Sequence, residues 1–345
     1  MRRGSCALAA RGGVLPRVLA RAQLARGLRA PALIALGLLF AAALPRMATA
    51  DEPPRIEVPA PAGGGPLTFI AYGDTRFTAL PKVANAFARR ALVDRIAREN
   101  PAAVFIGGDL VFQGSNPDDF EVYRSETAAW AKQKIPVFPS LGNHEFKGCT
   151  QDEPGPCLEN WWHSFPEMRP HRFYSVSVGP SLLVLLLDSD SAFKAGSEQR
   201  IWFEQQVAAA APHFSFLMVV LHYPPVRDPF YPSMLDEKEV AHYFARHAAS
   251  LHQQVVVLGS HVHNYERYVR DGVTYLVSGG GGAPPVPAVR MFGEKSKLHT
   301  SVNYHFVRFT LESGRLSGTM VRFEATDPSG DSWSEPDQFE LRAKD

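Results

Sequence analysis

Acids, lysine and histidine are all missing from the first 50 residues, which carry eight arginines instead. Behind that basic stretch come the apolar run PALIALGLLFAAAL and the small-residue triplet ATA at Ala48 to Ala50. Together they follow the pattern of a secretory signal peptide over residues 1–50. Long hydrophobic runs are missing too. The apolar segment holds 14 residues, where a membrane-crossing helix needs about 20. No stable membrane span is therefore expected after cleavage, with an uncleaved anchor as the alternative. Export to a periplasm or to the medium is the expected localisation.

Basic charge is not in excess. The whole chain has a formal charge of +1, and removing the eight leader arginines leaves the mature chain at −7. A mildly acidic body carries no nucleic-acid footprint. Cysteine is scarce, with three in 345 residues. Cys6 leaves with the leader, so Cys149 and Cys157 remain as an even pair around the turn-rich TQDEPGP. An oxidising compartment would let them bridge, which stabilises by about 2–3 kcal/mol on the chain-entropy model. A two-cysteine metal site is the alternative, although the spacing is longer than that of a zinc knuckle.

The body of the chain alternates. Residues 51–66, DEPPRIEVPAPAGGGP, read as a linker, and residues 67–345 as a single domain. LTFIAYG reads as a buried strand. PKVANAFARRALVDRIAREN reads as a helix with Val83, Phe87, Ala91 and Ile96 near one face. AAVFIGG, the helical DDFEVYRSETAAWAKQK and the strand IPVFPSLG follow. Strand, helix, strand, helix, strand is the signature of βαβ units and a largely parallel sheet, an α/β fold. SLLVLLLD, FSFLMVVLH, QQVVVLGS and GVTYLVSGGGG supply further strands, with helices near residues 197–210 and 237–249. The end of the chain, from YHFVRFTLESGRLSGTMVRFE onward, reads as hairpins.

The strands end on polar groups. The first three stop at GDTR, GGDL and GNHE, the later ones at LHYPP and GSHVHNYER. In open α/β sheets the carboxyl ends of the strands border the ligand crevice. Asp74, Asp109, Asn143, His144, His222, His261 and His263 should therefore converge on one edge. Singly, each is a turn former, a helix cap or a loop histidine. His261 and His263 stand one residue apart, which in extended backbone puts both imidazoles on one side. Three carboxylate or amide oxygens, three imidazoles and a spare histidine are too many for one tetrahedral ion. Mixed oxygen and nitrogen donors suit two first-row ions such as Fe, Mn or Zn. Two ions about 3.5–4 Å apart clamp an in-line displacement and acidify a bridging water, and phosphoester hydrolysis has most need of them.

In the order Asp74, Asp109, GNHE, His222 and HVH, roughly over residues 67–282, the sequence resembles the calcineurin-like metallophosphoesterases, nearest the purple acid phosphatase-like branch. The resemblance implies a metallophosphoesterase-type two-sheet sandwich flanked by helices (α/β/β/α). It also implies two divalent or trivalent metal ions (Fe, Mn or Zn) and a small phosphoester substrate. By the same resemblance Asp109 bridges both ions, Asp74 and His263 hold the first, and Asn143, His222 and His261 hold the second. His144 stands beside the leaving group as acid or transition-state donor.

Two positions depart from the family pattern. Arg76 stands where a first-site histidine is common, and Phe112 where the purple enzymes place a tyrosine, so the first ion is one protein ligand short. Arg76 reads either as the partner of a neighbouring acid or as a fork that grips phosphate. Glu266 and Arg267 read as loop braces, and Trp161 and Trp162 as packing. The substrate alternatives are nucleotides or phospholipid headgroups. A binding protein on the same scaffold, with an impaired first site, is the non-enzymatic alternative. In the purple enzymes the colour arises from tyrosinate-to-iron charge transfer. Tyr72 is the nearest possible substitute for the missing phenol, but strand alternation turns it away and two steps from Asp74 is a poor reach. Iron-loaded protein is predicted to show no intense visible band. Such a band in the absorption spectrum would mean that a tyrosinate reaches the iron.

Overall fold

Continuous hydrophobic runs mark the central strands because each is covered on both faces. The computed structural model describes residues 52–150, 153–211, 213–228, 236–287, 297–299, 304–324 and 332–344. The leader expected over residues 1–50 lies outside them. Residues Asp51–Asp345 form one compact unit.

In chain order the first elements are β1 (Arg55–Val58), β2 (Leu67–Tyr72), α1 (Ala86–Glu99), β3 (Val104–Ile106), α2 (Pro117–Glu126), α3 (Ala128–Lys132) and β4 (Val137–Pro139). Next come α4 (Gly155–Ser164), β5 (Tyr174–Val178), β6 (Leu182–Leu186), α5 (Glu198–Ala210), β7 (Phe216–Val220) and α6 (Glu237–His247). The chain closes with β8 (Gln254–Gly259), β9 (Tyr265–Arg270), β10 (Val273–Ser278), β11 (Lys297–His299), β12 (Tyr304–Glu312), β13 (Arg315–Phe323) and β14 (Trp333–Arg342).

Two mixed sheets result. One runs β1-β5-β6-β7-β8-β10-β9-β11, the other β14-β13-β12-β2-β3-β4. Side-chain alternation builds the layers. Val184, Met218, Val256 and Leu258 join the core that also holds Phe69, Phe105 and Phe309 of the second sheet. Their strand neighbours Leu185, Leu217, Val219 and Val257 pack in a separate cluster with Trp202, Phe203 and Phe244 of α5 and α6. On the far side Leu92, Val93 and Ile96 of α1 join the first core. The architecture is helix, sheet, sheet, helix, as the resemblance implied.

Local differences from the sequence reading have local causes. The helix expected from residue 81 begins at Ala86, because the Asn85 side chain accepts the Ala88 N–H at 3.1 Å and caps it there. The buried face of the helix holds Ala88, Leu92 and Ile96 rather than Phe87, which is 52% exposed. The single helix expected after residue 117 is two, α2 and α3. Thr127 breaks it by turning its hydroxyl back to Tyr123 O at 2.7 Å. Part of the stretch read as linker is β1, paired in parallel with β5.

The predicted pair Cys149 and Cys157 is bonded. Trp161 is fully buried and Trp162 donates to His171 O at 3.2 Å, so both tryptophans pack as expected. Arg267 of β9 makes a two-pronged pair with Asp337 of β14, at 2.6 and 2.8 Å, which ties the two sheets together. No helix among the described residues is long and apolar enough to cross a membrane.

Candidate metal centre

Past their last paired residues, the loops after β2 and β3 stay zipped side by side. Asp74 N–H donates to Gly108 O at 3.1 Å, Arg76 N–H to Asp109 O at 2.9 Å and Phe77 N–H to Leu110 O at 2.8 Å. This places Asp74 and Asp109 next to each other, both fully buried. Both residues sit in left-handed backbone, at φ 57° and 52°, which turns each carboxylate out of its strand. Side chains other than glycine rarely adopt that conformation, and such strain gathers at functional sites.

The opposite sheet delivers the histidines. His222 follows β7, and Ser189 Oγ accepts its N–H at 2.9 Å. The loop after β8 carries His261 and His263. It is not the extended backbone that the sequence suggested. Ser260 to Asn264 form two successive tight turns, with Val262 N–H on Ser260 O and Asn264 N–H on Val262 O at 2.5 and 2.6 Å. His261 has φ 61°. Through those turns His263 Nε2 comes 3.4 Å from Asp74 Oδ1, while the His261 ring meets His222 and its backbone N–H donates to Asp74 Oδ2 at 2.7 Å.

All eight residues expected at the site are brought to this one edge: Asp74, Arg76, Asp109, Asn143, His144, His222, His261 and His263. Two groups form around Asp109. At its Oδ1 lies His222 Nε2, 3.2 Å away. That nitrogen is also 3.0 Å from Asn143 Oδ1 and 3.1 Å from His261 Nδ1. On the other side Asp74, Asp109 and His263 offer ligand atoms that all lie within 4.8 Å of one another.

The chemistry of these atoms fits bound cations. His222 Nδ1 faces Gly107 O at 3.0 Å and His263 Nδ1 faces Pro284 O at 2.8 Å. Each Nδ1 therefore carries a proton, and Nε2 is the atom each ring turns to the site. Around His222 Nε2 nearly every neighbour is thus an acceptor. Asp74 Oδ1 is buried with no hydrogen-bond donor among the described residues. Acceptors facing acceptors in a dry place call for positive charge.

The electrostatics agree. Burial would raise Asp109, but His222, His144 and Arg76 outweigh it and hold its carboxyl well below the usual range. Burial, helped by His222, pushes His261 down to about 4, so its imidazole is neutral at pH 7. His263 is pulled down by burial, yet the Asp74 carboxylate, 3.4 Å from its Nε2, leaves it raised.

His144 occupies a different position. Its backbone N–H donates to Asp109 Oδ1 at 3.0 Å, while its ring Nδ1 lies 2.5 Å from Phe112 O. Nε2 is thereby turned into the site, 3.8 Å from Asp109 Oδ2. Burial lowers its pKa. Arg76 places Nη2 3.3 Å from Asp109 Oδ2. The Phe112 ring has Lys147 Nζ over it at 3.4 Å and the His144 ring beside it at 5.2 Å. Tyr72 is not a substitute phenol. It is fully buried beside Tyr123, Arg89 and Glu126, and burial pushes its hydroxyl far up.

One residue that organises the site escaped the sequence reading. Glu145 is fully buried and accepts three backbone N–H groups, from Asp109 at 2.9 Å, Val111 at 3.2 Å and Gly142 at 2.7 Å. Burial and the charge of Asp109 raise its pKa well above the usual carboxyl value against the pull of those donors. It knots the β3 and β4 loops together. The signal was its place in GNHE, which points to metal chemistry and says nothing of a brace. Gly142 matters for the same packing, since a Cβ there would stand 2.6 Å from Asp109 Oδ1 and 2.8 Å from His222 Cγ.

Residues 67–265 match the family described as calcineurin-like phosphoesterase. The chain belongs to that family. No curated protein matches its sequence. Solved structures share the fold. A purple acid phosphatase from seeds of yellow lupin (Lupinus luteus) matches at TM-score 0.65 and 17% identity, over 81% of this chain and 54% of that one. This phosphoesterase therefore corresponds to about half of the lupin protein. A dimetal phosphatase from Danio rerio matches at TM-score 0.56 and 14% identity, over 81% and 99%. GAP50, the anchor in the inner membrane complex of Plasmodium, matches at 0.55 and 16%, over 81% and 90%.

Both Glu145 oxygens accept, so an amide at that position would set an NH₂ against a backbone N–H. Glu145→Gln is expected to lower stability by about 1–3 kcal/mol, measured by urea unfolding. Unchanged stability would show that the knot is not needed.

Proposed function

We propose that this protein is an exported hydrolase of small phosphoesters that works with a pair of metal ions. The observation that carries the reading is the acceptor cluster on either side of the Asp109 carboxylate. Asn143, His222 and His261 would hold one ion, Asp74 and His263 the other, and Asp109 both. When bound, the ions supply positive charge for the phosphoryl oxygens and a bridging water acidic enough to ionise near neutral pH.

The rest is done by the chain itself. The crevice at the strand ends admits a small ester and keeps its phosphorus beside the buried acids. Arg76 and Lys147 line its border with fixed cationic charge that favours an anionic substrate. His144 has its Nδ1 committed to Phe112 O, so Nε2 is the atom that faces the ester. As imidazolium it donates to the leaving-group oxygen. A leader, a disulfide and the acidic mature body support export. The scaffold-only alternative draws on Arg76 in place of a ligand, but His144, turned inward with no assigned part in metal binding, has no use in a mere binder.

The test is hydrolysis of p-nitrophenyl phosphate and of an alkyl phosphate by mature protein loaded with Mn²⁺, Zn²⁺ or iron. His144→Ala should keep its metal and lose about 10²–10⁴ in turnover on the alkyl ester. The loss should be smaller for the nitrophenyl ester, whose leaving group needs no proton. Equal losses would make His144 a positioning residue, and no hydrolysis of any ester by the loaded protein would favour the scaffold-only reading.

A further inference from the structure

The two halves of the centre are not equivalent, and Arg76 is the reason. The Oδ1 side of Asp109 carries Asn143, His222 and His261, whose donor atoms lie 3.0–3.2 Å from a common nitrogen or from that oxygen. The other group has Asp74 and His263 beside Asp109 among the described residues, with His144 Nε2 farther off at 3.8 Å from Oδ2. Its third neighbour is a guanidinium, with Arg76 Nη2 at 3.3 Å.

Arg76 is held there by its surroundings. Its backbone is left-handed at φ 45°. Its N–H is bonded to Asp109 O at 2.9 Å, and its carbonyl accepts Arg89 Nη1 at 2.8 Å. Arg89, in turn, is gripped by both oxygens of Glu126 at 2.8 Å each. Arg76 Nε is buried without a partner among the described residues. A strained, doubly anchored arginine with an idle buried donor is not a surface residue that has drifted onto an acid. Arginine cannot shed its charge, so its cation is permanent.

We propose that Arg76 is the resident cation of the first site, competing with the metal for the Oδ2 side of Asp109. The second site then holds its ion firmly, and the first takes up its ion only by moving the guanidinium aside. This rests on the two-metal reading above. The displaced guanidinium keeps its charge at the crevice, where a phosphate oxygen is its natural partner. Uptake of the weaker ion and arming of the substrate grip are then one event.

The test is calorimetric titration of chelator-stripped full-length mature protein with Mn²⁺, and separately with Zn²⁺. Wild type should show two binding events with dissociation constants at least about tenfold apart, as expected when a unit charge a few ångströms away must be displaced. In His263→Ala the weaker event should vanish and the stronger remain. Arg76→Met removes the charge and adds no ligand, and it should tighten the weaker event by about tenfold or more. Arg76→His should tighten it at least as much. Circular dichroism confirms that each variant is folded. Two equal events in wild type, or a weaker event that ignores Arg76→Met, would overturn the proposal and leave the phosphoesterase reading standing. Absence of any binding by wild type would remove the metal centre and this proposal with it.

Discussion

Lone pairs pointed at lone pairs are the constraint around which this molecule is arranged. His222 Nε2, Asn143 Oδ1 and the carboxylates of Asp74 and Asp109 meet at the top of two sheets, and the backbone N–H groups of His261 and His144 with the Arg76 guanidinium satisfy them only in part. Such a cluster repels itself, and burial strengthens the repulsion because little water is present to screen it. Only a rigid frame keeps it assembled. The frame consists of hydrophobic strands packed face to face, Glu145 with three backbone donors, and Ser189 fixing the entry of His222. Stability is given up locally in left-handed aspartates and recovered in the core. That exchange is intelligible if the cluster is completed by cations.

Two kinds of cation are in play. Metal ions would enter and leave, whereas Arg76 and Lys147 are built into the chain. Phe112 links the second of these to the chemistry, since one ring carries Lys147 on its face and His144 at its side. Where the purple phosphatases are expected to place a phenol oxygen, this protein has a platform. The two departures from the family pattern therefore look like one change of design, in which metal ligation at the first site yields to organic cations around it.

Much of this was legible in the sequence because strand ends are legible. A hydrophobic run that stops at GD, GGD or GNHE announces both the strand and the group at its tip, and a parallel sheet brings such tips to one edge. Helix faces were harder. The start of α1 depended on which residue capped it, Asn85 rather than Pro81, and which stripe it buries was set by packing against the sheet, leaving Phe87 exposed. The split between α2 and α3 turned on one hydroxyl, that of Thr127. β1 was hidden in a proline- and glycine-rich stretch because its pairing with β5 spans about 120 residues, and no local pattern records that. Glu145 and the Arg89–Glu126 anchor were hidden for the same reason, since their partners are backbone groups and side chains far away in sequence. The paired imidazoles of HVH were anticipated, but for the wrong geometry, because tight turns and not an extended strand aim them.

The central claim is that one buried carboxylate, Asp109, is shared by two ions. Crystals of the mature protein soaked in saturating Mn²⁺ or Zn²⁺, with diffraction recorded at the absorption edge of the metal, test it directly. The account predicts two anomalous peaks about 3.5–4 Å apart, one among Asn143, His222 and His261 and the other between Asp74 and His263, with Asp109 between them. A single peak at saturation, or peaks that leave Asp109 outside their ligands, would contradict it.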